Sequence, residues 1–597
     1  MELANFKVLF VVSFLSGVLS DRVVMTNNGP IQGITVSSEP EIEAFLGIPY
    51  AEPPVGRLRF MKPVPKTSWL GVYDASTLAP TCVQNASAQY YYMPNIDNMT
   101  EDCLYLNMWV PYSGNATGRK PIIFFIHGGA FNIGSSNMGL YDGTKMASRG
   151  DVIVVTINYR IGVMGFFSAF IEDADGNMGI YDQILALNWV KDNAEAFGGD
   201  PDHIVLMGES AGAMSVAGHL VSPLTRNLIK RAILQSGAGL QPMNYDENER
   251  LYKASQKLAT IVGCADKSVT LQTDPRLIVN CLKRLTAKEL SAAEGILMRS
   301  NPITFVPRTG DTYMPRAIVY DVMEGNFKDT EILIGINENE GSFFLSAAAP
   351  DYFGVYGVNN IQTLSRRLAY QMIRLMYRYT EQKEERKIAD FYINGIINGT
   401  SDIYTQAMSK SLGDYLITCG SVFHAQIHSF RNPVYFYVFS HRSSTSPLAE
   451  WMGTTHFDEL KYIFGNTLLK NFTKDEEELS RRLMDRWLAF AKTGNPNVPG
   501  TLHWPQFSFE QPEYLHIDIE ESVRLRPDNY RCEFWRDRFK AVIDENVIQA
   551  LRESSSNPIF SARYNLQTTY SSAHGNVPAL IFILVSMIWA VFYANYF

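Results

Sequence analysis

The sequence predicts an α/β protein with a large, mostly parallel sheet covered by helices on both faces. Three observations carry this. Uninterrupted apolar runs recur, as in Pro121-Ile122-Ile123-Phe124-Phe125-Ile126-His127, Val152 to Ile157 and Val434 to Phe439. Segments of helical period stand between them, such as Asp182 to Asp192 with Ile184, Leu187 and Val190 apolar. The run Ile204-Val205-Leu206 passes through Gly208-Glu209-Ser210-Ala211-Gly212 straight into an apolar helical stretch. Strands buried on both faces read as continuous apolar runs rather than alternating ones.

The first 20 residues, MELANFKVLFVVSFLSGVLS, combine Lys7, an apolar run and small residues before Asp21. That is the pattern of a secretory signal cleaved after Ser20, too short to span a membrane. Five N-x-[ST] sequons follow, at Asn85, Asn98, Asn115, Asn398 and Asn471, as expected of a secreted glycoprotein. Six cysteines, Cys82, Cys103, Cys264, Cys281, Cys419 and Cys532, suggest three disulfides in an oxidising compartment. No C-x₂₋₄-C spacing occurs among them, which disfavours zinc, and nothing calls for a cofactor. The net charge of -9 argues against nucleic acid as a partner and favours a cationic ligand, if the carboxylates line a cleft mouth.

Within residues 21–552, read as one domain, the elements follow in order. Arg22 to Thr35 alternates around Asn28-Gly29-Pro30 and reads as a hairpin. Leu104 to Val110 is a strand ended by Pro111, and Ala232 to Gln235 and Ile332 to Gly335 are further strands. From Leu364, apolar Leu368, Met372, Leu375 and Tyr379 recur at helical spacing, the mark of an amphipathic surface helix. Residues 553–572 read as a polar stalk, and residues 573–597 as a hydrophobic tail. Small residues Ser571-Ser572-Ala573, a short spacer and an apolar end resemble a lipid-anchor signal; a tail-anchored span is the alternative. Either places the protein on the outer face of a membrane.

Two glycines flank Ser210 where a strand bends sharply into a helix, which leaves the hydroxyl at the apex of the turn. The helix start supplies backbone N–H groups and the positive end of a dipole. A serine hydroxyl needs an imidazole to take its proton and a carboxylate to hold the imidazole. In folds with this turn the order is serine, acid, histidine, on loops after strands. The loop after Ile336 offers Glu338 and Glu340; after the strand Val434 to Phe439, His441 and His456 are both loop residues. His424 and His428, four apart on a helix, read as structural rather than metal-binding, and His503 and His516 flank or occupy a strand-like stretch. Gly128-Gly129-Ala130-Phe131 follows a buried strand and lets backbone amides approach a ligand. With the Ala211 amide it forms a three-donor pocket for an oxyanion, where losing one donor costs ~10²–10³ in rate.

Six stretches, taken jointly and in order, resemble the cholinesterase and type-B carboxylesterase family over roughly residues 21 to 544. They are Ala51-Glu52-Pro53-Pro54-Val55-Gly56, Glu101 to Asn107, Gly128-Gly129, Gly208 to Gly212, Asn339-Glu340-Gly341-Ser342 and Glu450-Trp451-Met452-Gly453. The resemblance implies an α/β-hydrolase fold with Ser210 as nucleophile, Glu340 as acid, His456 as base and Gly129, Ala130 and Ala211 as oxyanion donors. It implies pairs Cys82–Cys103, Cys264–Cys281 and Cys419–Cys532, ion pairs Arg59–Glu101 and Arg160–Asp182, and a non-covalent homodimer through helices near Arg531 to Arg552. The substrate would be a small ester, of choline or a related alcohol; a broad-specificity carboxylesterase and a neuroligin-type adhesion protein are the alternatives. Where acetylcholinesterases carry a Trp under the quaternary ammonium, this sequence has Tyr92 or Met93. A tyrosine face holds a cation more weakly. Met243, Asn301 and Ile303 match the acyl pocket and should admit larger acyl groups, while Tyr141, Phe343, Phe344 and Trp451 keep part of the aromatic lining. Glu209 keeps a carboxylate beside the nucleophile.

Overall fold

A computed structural model describes residues 22–38, 40–85, 98–112, 118–242, 248–298, 304–348, 350–354, 363–377, 384–468, 471–536 and 539. Its frame is a sheet of eleven strands. In chain order they are β1 (Ile34–Ser38), β2 (Glu41–Pro49), β3 (Tyr105–Pro111), β4 (Lys120–Ile126), β5 (Ile153–Ile157) and β6 (Gly199–Glu209). Then come β7 (Arg231–Gln235), β8 (Ile332–Asn337), β9 (Val434–Phe439), β10 (Glu513–Ile517) and β11 (Ser522–Leu525). Across the sheet the order is β11-β10-β9-β8-β7-β6-β4-β5-β3-β2-β1. From β10 through β5 every neighbouring pair is parallel.

The sheet is mostly parallel, as expected, and only its flanks differ. The pairs β5-β3, β3-β2, β2-β1 and β10-β11 are antiparallel. Between β1 and β2, and between β10 and β11, the connections are too short for the crossover that a parallel pair needs. The N-terminal hairpin is likewise shorter than expected. Val23–Thr26 pairs with Gly29–Gln32 around Asn27-Asn28, and Ile34 already belongs to the large sheet. Pro111 ends no strand early; it is the last residue of β3, opposite Ile42.

Alternate residues of the central strands enter two separate cores, as the two-residue period of a strand requires. Ile122, Phe124 and Ile126 pack on one face with residues of α1 (Met178–Asn193) and α2 (Ala211–Val221). On that same face lie α3 (Glu340–Ala348), α4 (Ser401–Gly413) and α5 (Cys419–His428). Ile123 and Phe125 face the other way, against Leu479, Leu483 and Trp487 of α6 (Lys474–Thr493). A capping box starts α6: Thr473 Oγ1 accepts from the Glu476 amide, and Glu476 Oε2 accepts from the Thr473 amide. A π-turn, Asp414–Thr418, joins α4 to α5.

All three disulfides join the pairs that the resemblance implied, Cys82–Cys103, Cys264–Cys281 and Cys419–Cys532, and no cysteine is free. Both expected ion pairs form as two-pronged contacts. Arg59 Nε and Nη2 donate to Glu101 at 2.6 and 2.5 Å, and Arg160 Nε and Nη2 to Asp182 at 2.8 and 2.7 Å. Of the five sequon asparagines, Asn85, Asn98, Asn398 and Asn471 are exposed. Asn115, the signal segment and the stalk and tail after residue 552 lie outside the described residues, as does most of Arg531 to Arg552. Among the described residues no helix is long and apolar enough to cross a membrane.

Candidate active site

Ser210 sits between β6 and α2, at the carboxyl ends of the parallel strands, where ligands of open α/β sheets bind. Its backbone is held at φ 54°, ψ -123°, a conformation a non-glycine residue rarely adopts. Close packing forces it there. A Cβ on Gly208 would fall 2.4 Å from the Gly212 carbonyl carbon, and one on Gly212 would fall 2.0 Å from the Ile126 oxygen. Only glycines let β6, α2 and the end of β4 meet so closely. The Ser210 amide is spent on the Gln235 carbonyl at 2.8 Å, which pins the turn to β7.

The glycine loop after β4 takes an unusual path. Gly129, Ala130 and Phe131 all have positive φ, at 107°, 54° and 62°. The Gly129 carbonyl accepts from the amides of Asn132 and Ile133, both at 3.0 Å, and the Ala130 carbonyl accepts from Asn132 Nδ2 at 2.7 Å. Among the described residues the Gly129 and Ala130 amides donate to no acceptor. Ala211, first residue of α2, has no intrahelical acceptor for its own amide. Gly128 lies against the turn itself, since a Cβ there would meet Glu209 Oε2 at 2.3 Å and Ser210 Cβ at 2.9 Å.

Spacing left two acids and two histidines open, and the structure separates them. Glu340 and His456 are both buried, and Glu340 Oε2 accepts from His456 Nδ1 at 2.5 Å. The other oxygen, Oε1, accepts from the Asn337 amide at 2.7 Å. Glu338 is exposed, and His441 is tied to Asp518 at 2.8 Å on the far side of β9. On its other side the His456 ring meets the serine turn, with Nε2 3.1 Å from Glu209 Oε1 in a contact not aligned as a hydrogen bond. Nε2 therefore has no hydrogen-bond partner among the described residues.

The two segments that carry Glu340 and His456 are stitched to each other. The Asn339 amide donates to the Thr454 carbonyl at 2.9 Å, and the Thr454 amide donates to Asn339 Oδ1 at 3.1 Å. Gly453, at φ +61°, leaves room for that Asn339 side chain, which a Cβ would strike at 2.3 Å. Ser342 Oγ bonds Thr455 Oγ1 at 2.8 Å. Glu459, which the sequence reading passed over, accepts from Asn337 Nδ2 at 2.6 Å and from Gln235 Nε2 at 2.9 Å.

Three carboxylates thus surround one imidazole. Burial disfavours the His456 cation, but Glu209, then Glu340 and Glu459, outweigh it and hold the imidazole above its ordinary value. Burial pushes the Glu209 carboxyl up, and His456 pulls it back.

Phe343 and Phe344 flank the imidazole, with ring centroids 6.1 and 4.9 Å away. Trp451 is buried and donates its indole N–H to the Phe353 carbonyl at 3.0 Å. Tyr141 packs between Phe125 and Phe464 in the core of the opposite sheet face, where burial and then Glu209 keep its phenol protonated. Tyr92, Met243, Asn301 and Ile303 lie outside the described residues. His424 and His428 are buried core groups: His424 Nδ1 accepts from the Gly239 amide at 3.0 Å, and His428 Nε2 bonds the Thr330 carbonyl at 2.8 Å. Among the described residues no set of side chains could hold a metal ion.

The model of the carboxylesterase family matches residues 20–535. Acetylcholinesterase-1 of Trittame loki is 33% identical over 546 residues, covering 89% of this chain and 97% of the relative. Acetylcholinesterase of Leptinotarsa decemlineata is 35% identical, with 86% and 85% covered. Cholinesterase of Mus musculus is 35% identical, with 88% of each covered. A strained serine turn, a buried acid–imidazole pair and this breadth of similarity lead to one conclusion. The chain belongs to the carboxylesterase family and is a serine hydrolase of the carboxylesterase/cholinesterase type, with an α/β-hydrolase fold.

Proposed function

We propose that the protein hydrolyses small carboxylic esters through an acyl-enzyme at Ser210, with a preference for choline or related esters. The 2.5 Å bond from His456 Nδ1 to Glu340, which leaves Nε2 unpartnered beside the serine turn, carries the reading. With its proton on Nδ1, the imidazole offers the Nε2 lone pair to the Ser210 hydroxyl. Ser210 Oγ then attacks the ester carbonyl while His456 takes the proton. The amides of Gly129, Ala130 and Ala211 hold the oxyanion, and His456 returns the proton to the departing alcohol. Water repeats the sequence on the acyl-enzyme and frees the acid. Glu340 holds the imidazolium through its bond to Nδ1.

Support for a cationic alcohol comes from the buried Glu209 carboxylate beside the serine and from the Phe343 and Phe344 rings around the base. A quaternary ammonium gains from both an anion and aromatic faces. The relatives named for cholinesterase activity point the same way. Incubation with an organophosphate should leave one phosphyl adduct, mapped by peptide mass spectrometry to Ser210; no adduct there would sink the esterase reading. For the alcohol, kcat/KM for acetylthiocholine should exceed that for its uncharged isostere. Equal values would make the protein a broad-specificity carboxylesterase instead. Secretion and lipid anchoring belong to the same proposal, and the three disulfides fit an oxidising compartment.

Glu209 also sets a pH dependence. Its negative charge favours the imidazolium, so removing it lowers the pH at which His456 becomes the free base. Glu209→Gln should therefore move the acid limb of the kcat/KM profile to lower pH, by about one unit or more. A limb that stays in place would show that Glu209 does not act on His456.

A further inference from the structure

A cavity of about 310 Å³ opens where β8, β9, β10 and β11 end, behind the segment that leads into Glu340. Its wall includes Lys410 of α4, His516 of β10, Arg524 of β11, and Arg526 and Arg531 beyond it, with Glu338 as the one lining carboxylate. None of these residues belongs to the machinery assigned above. We propose that this cavity binds a small oxyanion, a phosphate or carboxylate compound, through Arg524, Arg526, Lys410 and His516.

The charges do not cancel within the wall. Arg531 is neutralised by buried Asp414, at 2.7 and 3.2 Å. Arg526 meets Glu533 only loosely, at 3.4 Å and with both side chains about half exposed. Arg524 touches Ser522 Oγ at 3.2 Å and has no carboxylate partner among the described residues. Lys410 Nζ is spent on a neutral group, the Glu338 carbonyl, at 2.9 Å. Burial and then the Arg531 charge push the Lys410 ammonium down, while Asp414, Glu338 and Glu340 pull it back.

The second observation is independent of charge. His516 is 8% exposed, and its Nδ1 has no hydrogen-bond partner among the described residues. A buried polar atom left unpaired is costly, and the residue that carries this one lines the cavity. With the guanidinium groups of Arg524 and Arg526 in the same wall, the His516 imidazole adds to a lining suited to oxygen anions. The cavity is larger than one phosphate, so a small organic anion fits better than a bare ion.

Isothermal titration of the full chain with citrate, and separately with inorganic phosphate, tests this against sodium chloride at matched ionic strength. Saturable one-to-one binding of either probe is the expected result, and which one binds identifies the headgroup. Arg524→Ala with Arg526→Ala should weaken it by about 10- to 100-fold, as expected for lost hydrogen bonds to charge. His516→Gln should weaken it less. Should the double variant lose its fold, the exposed single change Arg524→Gln decides. No saturable heat beyond the chloride control, or equal binding by wild type and variants, would overturn the site. No turnover is read, so the result is independent of the esterase assignment.

Discussion

Replacing Ser210 with alanine is expected to lower kcat for ester hydrolysis by about 10⁴- to 10⁶-fold. The change keeps the Cβ that packs against Gly128 and removes only the hydroxyl, so the turn and the fold should survive it. His456→Ala should cost about as much, and the double variant no more than either alone, because serine and imidazole act as a unit. Single-turnover rates on preparations of matched thermal midpoint measure this. A Ser210→Ala protein with even a tenth of the native rate would place the nucleophile elsewhere.

Glu340→Gln is the second large effect, expected near 10⁴-fold in kcat at neutral pH, and it follows from two bonds on one carboxylate. Oε1 accepts from the Asn337 amide and Oε2 from His456 Nδ1. A glutamine has one oxygen to offer. The Asn337 amide can only donate, so that oxygen faces Asn337 and the NH₂ faces His456. Nδ1 must then accept, and the imidazole proton moves to Nε2, the atom that should take the proton from Ser210. The loss should appear in kcat with little change in KM. A fall in KM-dependent binding alone would contradict this role.

The fold was legible wherever burial wrote itself into composition. Val434–Phe439 is apolar throughout because both of its faces are covered, and its bounds could be read directly. Strand direction was not legible, since an apolar run is the same whether its neighbour is parallel or antiparallel. The antiparallel outermost pairs, β1–β2 and β10–β11, follow from connection length instead. At the site, the serine turn was readable because only glycine fits its packing. The choice of Glu340 over Glu338, and of His456 over His441, was not readable from spacing, because each pair lies on one loop and differs only in which way the side chain enters the protein. The resemblance supplied that choice. Glu459 and Asn337 stayed hidden for a related reason: their role is to hold two loops together, and no local pattern records a contact between distant segments.

Glu340 and His456 bond across 116 residues of chain, and Ser210 belongs to a third segment further upstream. Contacts of such long sequence separation form late in folding. During synthesis Ser210 emerges well before His456, so the nascent chain holds an inert hydroxyl until β9 has docked on β8. Turnover is then a gauge of completed folding: in refolding experiments it should return with the slowest structural phase, never ahead of it.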